Sequence, residues 1–301
     1  MKQLVILLSL SMALWGCSLE RAPLGSEKNP IKFFFVPSVD AQVISDQSKI
    51  LESYLEANTP YKFEIKIPHS YVAVVEAFGT KRADIASMNT FGYIMAHEKY
   101  GAQAGLTVER YGHYEYRGQI IAKTDGEVKK LEDIQGKKIA FVDPASTSGY
   151  LLPAKLLVDK GIQPGERIFA RKHDIVITML YQNQADVGAT FHSPAHDGKI
   201  LDARRLVKTQ FPDVEKEISI ISLTDPIPND PVVFRKDLNP AIREAVTKAM
   251  LDFIKTEDGK DAFNKLFSVT GLRQATDADY DSVRDVLKAV GKTASELVSE
   301  K

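Results

Sequence analysis

The sequence predicts an α/β fold of two similar lobes, joined by two crossing strands, with a ligand cleft between the lobes. The chain has 301 residues, which is enough for about two domains. Short apolar runs alternate with amphipathic stretches, an order typical of parallel, helix-covered sheets. The order then restarts, and the segments RADIA (82–86) and QADVG (184–188) occupy equivalent places in the two halves. A single large α/β domain is the alternative.

The first half shows strand and helix patterns in alternation. The segment YKFEIKI (61–67) has the period of two that is typical of a strand, and Ser70 is a start signal for the helix after it. The predicted elements are a strand at 31–36, a helix at 40–57, a strand at 61–67, a helix at 70–78, a strand at 83–87 and a helix at 91–100.

The second half repeats this order and then leads back to the first. The predicted elements are strands at 117–123 and 137–142, a helix at 150–161, a strand at 167–170, a helix at 174–182 and a strand at 185–190. Two further strands, at 218–223 and 232–235, lead back out of this unit. The tail at 239–297 has an almost wholly helical pattern. In such sheets, ligands bind at the carboxyl ends of the strands.

The composition excludes several classes of function. Apolar residues make up 44% of the chain and charged residues 26%, the balance of a folded rather than a disordered protein. The 39 Lys and Arg residues against 40 Asp and Glu residues leave a net charge of −1, without the basic surplus of a nucleic-acid-binding chain. The single cysteine excludes an internal disulfide and a zinc site made of several thiolates.

The sequence lacks the common nucleotide and catalytic motifs. It contains no GxGxxG, no GK[ST] phosphate loop and no GxSxG elbow. His192 and His196 have the spacing of metal ligands on a helix, but Pro194 between them disrupts a regular turn. We therefore expect no catalytic residues, no cofactor and no metal site.

The amino terminus has the pattern of an exported lipoprotein. A basic start is followed by an uncharged, apolar run at 4–14, as in a secretory signal. The sequence LWGC at 14–17 resembles the bacterial lipobox. We therefore predict a signal peptide at 1–16 and a lipidated tether at 17–29, with Cys17 as the lipidated residue. A free buried cysteine after an ordinary signal peptide is the alternative.

The strongest local signal is FVDPASTSGYLLP at 141–153. A predicted strand ends at Val142, and the hydroxyl residues Ser146, Thr147 and Ser148 then precede Gly149 at the start of the next helix. Hydroxyl groups beside the free amides of a helix start form a site for an anion. An ordinary helix cap is the alternative, although one serine would suffice for it.

This segment resembles the phosphonate-binding proteins of ABC importers, and other landmarks follow in the order of that family. The resemblance runs from about residue 31 to about residue 267, and DPxSTSG followed by IPxDPVV is its most specific part. The landmarks are Tyr71, Asn89 and Thr90 after ADIAS, Tyr116, DPASTSG, His173 in RKHD, ADVGAT, and Asp230 in IPNDPVV.

The resemblance implies the two-lobed periplasmic-binding-protein fold (type II-like), in which each lobe is a helix-covered mixed sheet. Lobe 1 would comprise 30–115 plus 231–301, and lobe 2 would comprise 116–230. By resemblance, the residues that hold the oxygens of a phosphonate are Ser146, Thr147, Ser148, His173, Tyr71 and Tyr116. Asn89 and Thr90 would line the cleft from the first lobe. Because side chains alternate along a strand, Arg117 beside Tyr116 should point away from the ligand.

One departure from the family concerns the ligand. Members that favour aminoethylphosphonate use two carboxylates for its ammonium group, and one of these matches Asp230. The other would fall near His192 and Ser193, where this chain has no carboxylate. This difference weighs against recognition of an amine and favours phosphite, phosphate, a different phosphonate or another organophosphorus anion.

The resulting functional prediction is a solute-binding lipoprotein of an ABC importer, held in the cell envelope and facing the periplasm or the cell exterior. Its partners would be a small phosphorus oxyanion, an ABC permease in the inner membrane and the membrane itself through the lipid. The alternative is a ligand-sensing protein that signals to a membrane receptor kinase. A hydrolase of phosphate esters is disfavoured because the base and metal ligands are missing.

Overall fold

The computed structural model describes residues 22–290, including the backbone but not the side chains of the last two. The predicted signal peptide at 1–16, Cys17 and the first part of the predicted tether lie outside the described residues, as does the end of the predicted helical tail. Within residues 22–290, no helix is both long and apolar enough to cross a membrane.

The described residues form eleven strands, most of them close to their predicted positions. The strands are β1 (Ile31–Phe35), β2 (Phe63–Lys66), β3 (Ile85–Ser87), β4 (Gln103–Glu109), β5 (Glu115–Lys123), β6 (Lys138–Phe141), β7 (Glu166–Phe169), β8 (Val187–His192), β9 (Ile218–Pro228), β10 (Pro231–Phe234) and β11 (Gly271–Gln274).

The same part of the chain forms nine α-helices and several shorter helical turns. The helices are α1 (Ala41–Asn58), α2 (Tyr71–Gly79), α3 (Thr90–Tyr100), α4 (Leu152–Asp159), α5 (His173–Tyr181), α6 (Val214–Glu217), α7 (Pro240–Phe253), α8 (Glu257–Phe267) and α9 (Asp281–Val290). A π-helical turn at Thr147–Leu151 precedes α4.

Two mixed sheets divide the strands between two lobes. The first sheet has the order β11-β4-β10-β3-β1-β2, and the second has the order β7-β6-β8-β5-β9. In the first, β1 runs parallel to β2 and β3, whereas β10 is antiparallel to β3 and β4. In the second, β6 runs parallel to β7 and β8, whereas β5 is antiparallel to β8 and β9. We call the units built on these sheets the first and second lobes.

Apolar packing covers both sheets with helices. In the first lobe, Phe33 of β1, Leu51 of α1 and Phe253 of α7 belong to one buried cluster. In the second lobe, Phe141 of β6 and Leu157 of α4 belong to another. The alternating sequence pattern therefore produces helix-covered sheets, as predicted, because each element has one apolar face to bury.

Two short segments carry the chain between the lobes, one after β4 and one after β9. Asn229, in the second segment, ties the two together. Its Nδ2 donates to the carbonyl oxygens of Val108 and His113, at 3.0 and 2.9 Å. Its Oδ1 accepts from Arg110 Nη1 at 3.0 Å. The two crossings are therefore held side by side by one fully buried amide.

The tail was predicted to be helical almost throughout, but it contains the strand β11. The strand β4 was not predicted from the sequence. β11 lies inside the tail and pairs with β4 in antiparallel register, from Gly271 opposite Glu109 to Gln274 opposite Leu106. Neither strand has a clear period of two in its sequence. Pairing between distant segments, rather than local preference, therefore determines both strands.

Candidate ligand-binding site

A small cavity lies between the lobes, beyond the carboxyl ends of parallel strands from both sheets. Its volume is about 70 Å³, well below the roughly 300–1,000 Å³ of pockets for drug-sized ligands. Its walls include Ser38 after β1, Asn89 after β3 and Ser193 after β8. The two lobes therefore contribute to one cavity at the strand ends where α/β sheets bind ligands. The polar and charged side chains on its walls are Ser38, Tyr71, Ser87, Asn89, Arg110, Tyr116, Ser146, Ser148, His173, Ser193, Arg205 and Asp230.

The turn after β6 brings two of the predicted serines to this cavity. Ser146 caps the turn, because its hydroxyl accepts from Gly149 N at 3.1 Å, and Ser148 is the second residue of the π-helical turn. Glycine at 149 serves packing rather than approach to a ligand: a Cβ there would lie 2.4 Å from Cγ2 of Val142. Gly149 therefore lets the turn sit tightly on the end of β6.

Two tyrosines and a histidine among the predicted site residues line the cavity. Tyr71 is the first residue of α2, Tyr116 lies on β5, and His173 is the first residue of α5. Burial raises the pKa of both phenols, so they remain protonated hydrogen-bond donors at neutral pH. Burial lowers the pKa of His173 to about 3. The imidazole is therefore neutral at physiological pH and can donate or accept a hydrogen bond.

Several polar atoms on these walls are buried without a hydrogen-bond partner among residues 22–290. They are Tyr71 Oη, Asn89 Oδ1, His173 Nδ1 and Arg205 Nε. A buried polar group without a partner is costly, by about 1–3 kcal/mol, and such groups are rare in folded proteins. Their concentration around one cavity makes this cavity the candidate ligand-binding site.

Thr147 and Thr90 differ from the other predicted site residues, because the structure does not place them on the cavity walls. The Thr147 hydroxyl accepts from Asn89 Nδ2 at 3.0 Å and from Phe91 N at 2.9 Å. It thereby caps α3 of the first lobe, because the side chain of the N-cap residue Asn89 accepts no hydrogen bond from the amides of that helix. Thr90 Oγ1 donates to Pro228 O at 2.7 Å. Both threonines therefore join the two lobes to each other.

Asp230 reaches the cavity but is already paired. Its Oδ2 accepts from Arg110 Nη2 at 2.6 Å. Sequence reasoning did not single out Arg110 or Arg205, since Arg110 lies in the crossing after β4 and Arg205 on a short helical turn. Arg117, in contrast, donates to Thr224 O at 2.6 Å and is absent from the walls of the cavity.

The arrangement can hold a small oxyanion without water. Neutral donors (two phenols and serine hydroxyls) and two guanidinium groups surround a space of about 70 Å³. Hydrogen bonds from charged donors to oxyanions are roughly twice as strong as neutral ones. Among residues 22–290, no cluster of His, Cys, Asp and Glu suitable for a metal ion occurs, and this includes His192 and His196.

Comparison with known proteins decides the family. A family model described as "ABC transporter, phosphonate, periplasmic substrate-binding protein" matches residues 33–280, which is most of the chain. The chain belongs to this family. The phosphonate-type periplasmic binding proteins are components of transport systems rather than enzymes, and they act outside the cytoplasm. The predictions of the family, of a transport role and of a chain that is not an enzyme are confirmed.

Curated relatives in this family have names that refer to phosphorus compounds. The chain is 27% identical over 286 residues to the phosphate-import protein PhnD of Mycolicibacterium smegmatis (strain ATCC 700084 / mc(2)155), covering 85% of this chain and 84% of that protein. It is 22% identical over 248 residues to the phosphonates-binding periplasmic protein of Escherichia coli (strain K12), covering 80% of this chain and 71% of that protein.

Solved structures of periplasmic phosphonate-binding proteins share the fold. PhnD1 from Prochlorococcus marinus (MIT 9301), in complex with methylphosphonate, has a TM-score of 0.74 at 16% identity, covering 87% of this chain and 98% of that one. A binding protein component of an ABC phosphonate transporter from Pseudomonas aeruginosa has a TM-score of 0.76 at 17% identity, covering 85% of each chain. The prediction of a two-lobed periplasmic-binding-protein fold is confirmed.

Proposed function

We propose that this protein binds a small phosphorus oxyanion (phosphate, phosphite or a simple phosphonate) in the cavity between its lobes and delivers it to an ABC permease. The proposal is carried by buried polar atoms of Tyr71, Asn89, His173 and Arg205 around one small cavity, which have no hydrogen-bond partner within residues 22–290. The relatives support the ligand class, since one is named for phosphate import and another holds methylphosphonate.

The chemistry of the site fits such a ligand. A tetrahedral oxyanion presents acceptor oxygens in all directions, and the cavity offers phenol and serine donors from several sides. The volume of about 70 Å³ corresponds to a few water molecules. This size favours phosphate, phosphite or methylphosphonate over a nucleotide.

A thermal-shift screen tests the proposed function. The full mature chain is heated with phosphate, phosphite, methylphosphonate or sulfate, with sodium chloride at equal ionic strength as the control. A ligand at 100 times its dissociation constant should stabilise the protein by about 2.7 kcal/mol, which for a chain of this size raises Tm by roughly 5 °C. If none of the phosphorus oxyanions raises Tm above the chloride control, the proposal is wrong.

We further propose that the mature protein is anchored to a membrane by lipid on Cys17. The support is the basic start, the uncharged run and the lipobox-like LWGC in the sequence. A tethered binding protein would stay close to the permease that it serves. The anchor and the permease together would make the protein a peripheral part of an import complex.

Replacing Cys17 with serine tests the anchor. The variant should accumulate as a longer precursor, while the parent should partition with membranes and carry a lipid detectable by mass spectrometry. A serine variant that is processed normally and released as soluble protein would show that Cys17 is not the lipidated residue. Binding of the oxyanion should be the same in both proteins.

A further inference from the structure

The formal charges that the described residues place on the cavity walls leave a surplus of one positive charge. Its walls include two arginines, Arg110 and Arg205, and one aspartate, Asp230. His173 is neutral at physiological pH because burial lowers its pKa. A buried site with this balance disfavours a cation and favours an anion.

Each of the three guanidinium nitrogens of Arg110 donates one hydrogen bond within the protein. Its Nη2 donates to Asp230, its Nη1 donates to Asn229 Oδ1 at 3.0 Å, and its Nε donates to Phe267 O at 2.9 Å. The guanidinium also lies over the ring of Tyr116, 5.7 Å from the centroid. The charge of Asp230 is therefore balanced inside the protein by the guanidinium of Arg110, which three hydrogen bonds hold in position.

Arg205 has no such compensation. No carboxylate within residues 22–290 forms a salt bridge with it, and its Nε is buried without a hydrogen-bond partner in the same part of the chain. The nearby Asp202 is engaged by Arg204, with bonds of 3.1 and 2.9 Å to its two oxygens. An arginine remains charged in proteins, so the positive charge of Arg205 stays available beside the cavity.

We propose that Arg110 and Arg205 restrict this site to anions that carry no cationic group, with Arg205 providing the charge that balances the ligand. This inference rests on the proposed function and specifies its ligand. Among the described residues, Asp230 is the only carboxylate on the cavity walls, and its Oδ2 is paired with Arg110, so a ligand ammonium would meet a carboxylate whose charge is already balanced. Arg205 would repel that ammonium and attract the oxyanion.

Titration calorimetry on the full mature chain tests the inference with two matched ligands, methylphosphonate and 2-aminoethylphosphonate. The parent should bind methylphosphonate at least tenfold more tightly. Replacing Arg205 with glutamine should weaken methylphosphonate binding by about 10- to 100-fold, the usual effect of losing a charged hydrogen-bond partner. In the same variant, the ratio of the dissociation constants of the two ligands should be smaller than in the parent.

Two further variants make the experiment specific. Arg110→Gln leaves Asp230 free, and it should shift the preference toward 2-aminoethylphosphonate. Arg117→Gln is the control, because Arg117 is an arginine on β5 that does not line the cavity, and it should bind like the parent. Circular dichroism shows whether each variant is folded.

The outcomes separate this inference from the proposed function. Tight binding of 2-aminoethylphosphonate by the parent, or unchanged methylphosphonate binding by folded Arg205→Gln, would overturn the inference but leave a phosphorus-oxyanion binding protein. Failure of the parent to bind phosphate, phosphite and methylphosphonate would overturn the proposed function itself.

Discussion

Replacing Asp84 with alanine is expected to lower the free energy of unfolding by about 3–5 kcal/mol, the usual cost of breaking a buried ion pair. Asp84 is 3% exposed. One carboxylate oxygen accepts from Arg235 Nη2 and Nε, at 3.0 and 3.2 Å, and the other accepts from Lys32 N at 2.9 Å. Its removal leaves the Lys32 amide without an acceptor and leaves the largely buried guanidinium of Arg235 with only Asp237 as a partner. Urea unfolding, followed by circular dichroism, measures the effect.

The chain provides a matched control for this variant. Asp186 occupies the equivalent place in the second lobe, and its Oδ2 accepts from Lys138 N at 2.9 Å. It is exposed and has no salt bridge within the described residues. Asp186→Ala should therefore cost only about 0.5–1.5 kcal/mol, the value of one hydrogen bond. Equal losses in both variants would show that the ion pair with Arg235 contributes nothing.

If Asp84→Ala does not fold, the prediction is tested with Asp84→Asn, which keeps the shape of the side chain. Asp84→Asn retains an oxygen for the Lys32 amide but removes the charge that faces Arg235. It should lie between the parent and Asp84→Ala in stability. Unchanged stability of Asp84→Asn would mean that the hydrogen bond to Lys32, and not the charge, is what matters.

This pair of aspartates also shows why the two-lobed fold could be predicted from the sequence. The repeated Ala-Asp motif ends a helix–turn segment and places each carboxylate on the amide of a strand, Lys32 of β1 or Lys138 of β6. Each copy of the repeat is therefore a local structural unit that its own short sequence motif identifies. β4 and β11 have no such signature, because their pairing depends on residues more than 150 positions apart.

The site was predictable to the extent that its residues lie in local motifs. Ser146 and Ser148 follow a strand end, and Tyr71 and His173 begin helices, so their positions could be inferred from neighbouring residues. The cavity walls include these residues together with Tyr116, Asn89 and Asp230. Their role in binding remains a prediction.

The arginines and the threonines were not predictable in the same way. Arg110 lies at the cavity because the crossing after β4 packs against Asn229 and Phe267, far away in sequence. Thr147 is turned toward the first lobe because α3 needs an acceptor at its start. Both positions depend on how the two lobes meet, which the sequence does not encode locally.

Replacing Thr147 with valine is expected to weaken binding of the oxyanion by about 10- to 100-fold, although Thr147 does not line the cavity. Valine has nearly the same shape but no acceptor, so the buried amide of Phe91 loses its partner and Asn89 Nδ2 keeps only Ala145 O, at 2.8 Å. An unsatisfied buried donor costs about 1–3 kcal/mol. This cost arises only when the lobes are in contact, so the variant populates the closed form less than the parent does. The apparent affinity for the oxyanion then falls in proportion to the fraction of closed protein.

A second variant, Thr147→Ser, shows whether Thr147 acts through its hydrogen bond to α3 or through the packing of its side chain near the ligand. Serine keeps the acceptor for Phe91 N and should bind within a few-fold of the parent, while valine should not. Calorimetry gives the affinities, and small-angle scattering with and without the oxyanion gives the degree of closure, which the valine variant should reach only at higher ligand concentration. If folded Thr147→Val binds and closes like the parent, the contact between Thr147 and α3 contributes nothing to closure. Loss of binding in Thr147→Ser with normal closure would instead assign the methyl group of Thr147, which only this variant lacks, a role in shaping the turn that holds Ser146 and Ser148.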